Sequence, residues 1–168
     1  LCWLAGAPFV LQNLLGLTPL MFSIMFSLGA IGDVLGAMIA TRIVTRAGIN
    51  RVIGYGAMTM VLGGLVMSAA IATGLGSANV LVAAAAIWLI GLGLVFPQAL
   101  AGGLSCFADR AGAASSLLGF SPQLVAAAAG TAVVATVGNT AWPLAIGVLT
   151  AGALVMVLWL SLRSPMGR

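Results

Sequence analysis

A chain of 168 residues that is 62% hydrophobic and 5% charged, with six basic residues, two acidic ones and no histidine, has the composition of a membrane protein. A soluble domain carries about a quarter charged residues. All the basic residues are arginines, without lysine or interleaved aromatics, so the net charge of +4 does not form a nucleic-acid-binding stripe. Two distant aspartates without glutamate or histidine offer no paired-carboxylate, zinc or serine–histidine chemistry, and no enzyme is expected.

Breakers and polar clusters divide the chain into apolar segments at about 1–15, 20–41, 52–73, 79–105, 111–137 and 141–162. The first reaches only about 22 Å, short of the roughly 30 Å hydrocarbon layer, and contains Pro8 and Gln12. With Leu1 at its start, it reads as the truncated first helix of a fragment. The second segment contains Asp33 and the stretch GDVLGAMIA, where Gly32, Gly36 and Ala40 form a small-residue face that lets another backbone approach. TRIVTRAGINR, from Thr41 to Arg51, is expected to be a loop carrying Arg42, Arg46 and Arg51.

The third segment has only hydroxyls such as Thr59 and Ser68 in its interior. The fourth carries Trp88 near its middle, where packing against lipid or a neighbour is expected ahead of ligand stacking, then Pro97, where a kink is expected, and Gln98. The fifth carries Pro122 and Gln123, and the sixth again has only hydroxyls such as Thr150. Cys2 and Cys106 fall in or beside apolar segments and are expected to be reduced and buried.

If the segments alternate in direction, Arg42, Arg46, Arg51, Arg110, Arg163 and Arg168 share one side. The opposite loops, NLLGLTP, TGLGSAN and GNTAWP, carry no charge. Cytoplasmic loops are the arginine-rich ones, which predicts a cytoplasmic C-terminus. Tyr55, Trp142 and Trp159 fall near the expected interfaces, where amphipathic rings are favoured.

Among the segments the pattern is polar, polar, bland, twice over. Intramembrane amides and carboxyls face bundle interiors or water-filled cavities, so the third helix of each triplet is expected to be peripheral, outside the cavity. This matches a three-plus-three inverted-repeat half of a secondary transporter. Gln12, Asp33, Gln98, Gln123 and Trp88 are the cavity candidates. Asp33 has no cation inside the membrane to pair with, and must be protonated, hydrated or paired with another segment. Asp109 beside Arg110 reads as a solvated boundary pair.

The stretches LAGAPFVLQ, RIVTRAG and above all GLVFPQALAGGLSCFADRAGAASSLLGF, residues 93–120, resemble the C-terminal half of the Bcr/CflA drug-resistance transporters of the major facilitator superfamily. The resemblance covers nearly the whole chain. It implies an all-α six-helix bundle, helices seven to twelve of a twelve-helix transporter, with the N-terminal half as its partner. Arg46, Ala47, Gly48 and Arg51, together with Arg42, look like the superfamily's cytoplasmic loop motif, although Thr45 stands where that motif usually has an acid.

The implied activity is efflux of small, mostly apolar drugs or metabolites in exchange for protons. The proton gradient would supply the energy without a cofactor or metal, in a bacterial inner membrane. Two other expectations stand beside it: a homodimeric half-transporter and a non-transporting membrane scaffold.

Overall fold

A computed structural model describes residues 18–74, 77–105, 111–136 and 142–163. The described residues form an all-helical chain: α1 (Pro19–Ala47), α2 (Ile49–Ala72), α3 (Ala78–Ser105), α4 (Ala111–Thr136) and α5 (Trp142–Arg163). Four of these, α1, α2, α3 and α5, are long and apolar enough to cross a membrane, and the chain is an integral membrane protein. Gln12, both cysteines, Asp109, Arg110 and Arg168 lie outside the described residues.

Local chemistry sets the helix ends. Thr18 caps α1, its hydroxyl accepting from the Met21 N–H at 3.4 Å, and Pro19 occupies the first turn, where its missing N–H costs nothing. The segment expected to be a loop, Thr41 to Arg51, is helical except at Gly48. Nothing from Thr41 to Ala47 breaks a helix, and its arginines stay exposed, so α1 continues to Ala47. Gly48 alone joins α1 to α2. Its φ of 80° and ψ of 157° lie in a region essentially restricted to glycine, and its N–H still donates to the Val44 carbonyl at 3.0 Å.

Close backbone approaches between helices organise the bundle. Along the α1–α3 contact, a β-carbon on Gly32 would lie 2.8 Å from the Ala86 carbonyl oxygen. One on Gly36 would overlap the Ile90 carbonyl, and one on Gly93 the Asp33 carbonyl. Ala40 is fully buried and clusters with Val52 and Leu94. The small-residue face of α1 is therefore its contact with α3, and the order of these pairs makes the two helices parallel.

The segment expected outside the cavity, α2, is central to the packing. It runs between α3 and α5 and antiparallel to both, with Gly56 against Gly91, Gly63 against Trp88, Gly64 against Leu149 and Gly54 against the Trp159 ring. The main core lies here, formed by Met60, Met67, Leu81, Trp88, Leu144 and Val148. A helix without buried polar groups to satisfy can be covered by apolar neighbours on two sides. Lying outside a polar pathway is thus compatible with lying inside the core. By contrast, α1 and α4 expose long apolar faces, including Leu28, Ile31 and Leu35 on α1 and Leu117, Phe120 and Leu124 on α4. In water such patches would aggregate; in a bilayer they face lipid or another helix.

Candidate functional site

Every membrane helix must satisfy its polar groups, and most hydroxyls here do so locally. Thr59 donates to the Tyr55 carbonyl, Ser68 to Gly64 and Thr150 to Ile146, each at 2.8 Å, and Thr131 donates to Ala127 at 2.7 Å. A hydroxyl bonded back onto its own helix can face lipid without an orphan donor. In the middle turns of the described helices this leaves Asp33 on α1, Gln98 on α3, and Ser121 and Gln123 on α4. None of these side chains makes a hydrogen bond or ion pair with another described residue.

Asp33 and Gln98 lie on the two helices of the α1–α3 contact but at different levels: Gly36 meets Ile90 and Ala40 clusters with Leu94, which sets Gln98 level with about Val44, roughly 16 Å along the axis from Asp33. Asp33 is half-buried beside the glycine stripe, and its carbonyl is the group that leaves no room for a side chain on Gly93. Pro97 lies one turn beyond Gly93, inside an α3 that runs unbroken from Ala78 to Ser105. Without an N–H it cannot donate to the Gly93 carbonyl four residues back, so that carbonyl lacks its helical donor. Gln98 follows directly and is only 7% exposed. It lies about 7.5 Å along the helix axis from Gly93. The orphan carbonyl and the buried amide thus lie on the arginine-bearing side of Asp33 along this helix pair.

Trp88 lies elsewhere. It is 3% exposed, packs between α2 and α5, and its indole N–H donates to the Val148 carbonyl of α5 at 3.1 Å. Of the two expectations for Trp88, packing against a neighbour describes this place and a cavity wall does not. Trp88 is a core residue that joins α3 to α5, because a buried indole needs an acceptor and a helix carbonyl supplies one. Gln123 is exposed on α4, which packs only lightly on α3 and α5, with Gly103 against Leu118 as a point of contact. Ser121, on the same exposed stretch, was not singled out from the sequence; its position two residues from Gln123 was the available signal.

The described arginines lie at one end of the bundle. Arg42 and Arg46 are exposed on the last turns of α1, where positive charge suits the helix C-terminus. Arg51 is exposed on the first turn of α2, where the helix dipole opposes a cation. Among the described residues no carboxylate pairs with any of the three. No family model, curated protein or solved structure matches the chain.

Proposed function

We propose that the chain is half of a secondary transporter that exports small, mostly apolar compounds in exchange for protons by alternating access. The observation that carries this reading is an acid on α1, Asp33, and a buried amide on α3, Gln98, in otherwise apolar helices and without partners among the described residues. Polar groups at membrane depth are expensive and mark substrate or proton pathways. The resemblance to the Bcr/CflA transporters supports the same class.

In this mechanism a second six-helix half packs over the exposed faces of α1 and α4 and encloses the pathway between them. Asp33 takes and releases the proton, Gln98 offers its amide to the passing substrate, and Gln123, Ser121 and Gln12 add polar contacts along the wall. The bland pair α2 and α5 forms a rigid back that moves as one body. The arginine-bearing end lies in the cytoplasm, as the positive-inside rule requires, and the proton gradient of the bacterial inner membrane drives the cycle without a cofactor.

The test uses the natural gene product reconstituted in liposomes, with proton movement measured on addition of substrate. Replacing Asp33 by Asn should abolish substrate-dependent proton release while leaving the protein folded. Coupling unchanged in Asp33→Asn would remove this carboxyl from the mechanism. An intact mass showing no second half, with no transport by wild type, would favour the scaffold.

A further inference from the structure

A groove of about 630 Å³ opens where the α1–α2 junction meets α5. Its lining includes Asn50, Arg51, Gly54, Tyr55, Met58 and Trp159. The groove exists because two glycines leave space. Gly48 has no atom within 4 Å of where a β-carbon would stand, and the Trp159 ring lies over Gly54, its Cζ2 2.5 Å from a β-carbon built there. The indole is pinned by a 2.8 Å hydrogen bond from its Nε1 to the Asn50 carbonyl.

The chemistry of the lining changes along α2. At the first turn stand Arg51 and Asn50, with N–H groups that no side chain caps. One and two turns further on, Tyr55 and Met58 are both more than half exposed. Arg51 and Met58 are seven residues apart, about 10 Å along the axis. The polar end lies at the helix terminus and the apolar end points into the span, matching a lipid with its headgroup at the interface and its chain along the helix. A free phosphate would have no use for the apolar end. The described acid, Asp33, is roughly 22 Å from Gly48 along α1, so no described carboxylate stands beside Arg51.

We propose that this groove binds the phosphate headgroup of an anionic glycerophospholipid, with Arg51 pairing the phosphate and Tyr55, Met58 and Trp159 receiving the glycerol and upper acyl chain. The proposal rests on the chain being a membrane protein and is independent of transport.

The experiment is native mass spectrometry of the purified protein in detergent, supplied with phosphatidylglycerol, phosphatidylcholine or inorganic phosphate. Phosphatidylglycerol should be retained in preference to phosphatidylcholine. Arg51→Gln should lower that retention about fivefold, the usual contribution of one arginine near an anionic headgroup. Met58→Trp, which fills the groove without changing charge, should also lower it, while Arg42→Gln, outside the groove, should not.

Equal retention of the two lipids would overturn the site, as would equal losses in Arg42→Gln and Arg51→Gln, which would reduce it to surface charge. Displacement of the lipid by millimolar inorganic phosphate would assign the groove to a free anion instead.

Discussion

Substituting alanine for Gly93 should destabilise the bundle, whereas the same change nine residues along the same helix should not. A β-carbon at Gly93 would overlap the Asp33 carbonyl oxygen and lie 2.9 Å from the Ala37 backbone nitrogen. Both are backbone atoms, so no side chain can swing aside, and α1 and α3 must separate or slide. Contacts of this kind need at least about 3.4 Å to be ordinary. The helices would therefore part by roughly an ångström, enough to forfeit a quarter to a half of each dispersion contact along the stripe.

That stripe contains Gly32, Gly36 and Ala40, all of which depend on the same close approach. Overpacking at such sites costs typically about 1–3 kcal/mol, or roughly 5- to 150-fold in the folding equilibrium. At Gly102, by contrast, a β-carbon meets nothing within 4 Å. Alanine there removes backbone entropy from the unfolded chain and should be neutral or stabilising by up to about 1 kcal/mol. Reversible unfolding in mixed micelles, followed by far-UV circular dichroism, measures both. Equal stabilities for Gly93→Ala and Gly102→Ala would refute the α1–α3 crossing described above.

Trp88→Phe should cost about 1–2 kcal/mol through loss of a buried hydrogen bond to Val148; Trp159→Phe, at an exposed site, should cost less in the same micelle titration. Gly48→Ala should cost about 1–3 kcal/mol because of its positive φ, with no contribution from crowding since no neighbour stands within 4 Å; Gly48→Asn should recover little of it, because asparagine favours the left-handed helical region and not a ψ of 157°. Gln98→Leu should keep or raise thermal stability, because it removes a buried amide that no described residue satisfies, and should lower transport by the natural gene product; a marked loss of stability would show that the amide is structural.

What was legible in the sequence follows from the range of the interactions. The four-residue repeat of Gly32, Gly36 and Ala40 was enough to predict a backbone-to-backbone contact, since small residues on one helix face have little other use in a membrane. It did not name α3 as the partner. That required Ala86, Ile90 and Gly93, some 50 residues away, to fall on one line of another helix. The loop expected between Thr41 and Arg51 shrank to Gly48 because charge density was taken as a sign of irregular backbone. Arginine is a good helix former, and only the glycine was a true breaker.

Trp88 shows the limit from the other side. Its mid-span position was correctly read from the sequence, but its partner is a carbonyl 60 residues away, and a backbone acceptor leaves no mark in the amino-acid pattern. Gln98 was legible as polar and intramembrane, yet its near-complete burial depends on how α3 packs. The groove at Arg51 was missed because it is built from absent side chains, at Gly48 and Gly54, set against a tryptophan more than a hundred residues further on.

The same bundle separates two physical tasks. Between α2, α3 and α5 the contacts are apolar and dense, closed by an indole bonded to a helix carbonyl. Along α1 and its crossing with α3, close packing is achieved by glycines, and Asp33 sits beside it. Glycine contacts depend on short-range approach and have no long side chains to disentangle, so a small slide of α1 along α3 breaks few interlocking contacts. A carboxyl placed at that crossing changes its surroundings when the slide occurs, whereas one placed in the α2–α5 core would not. The location of Asp33, at the loosest-locked of the tight contacts, is therefore where a carboxyl could sense movement of the bundle.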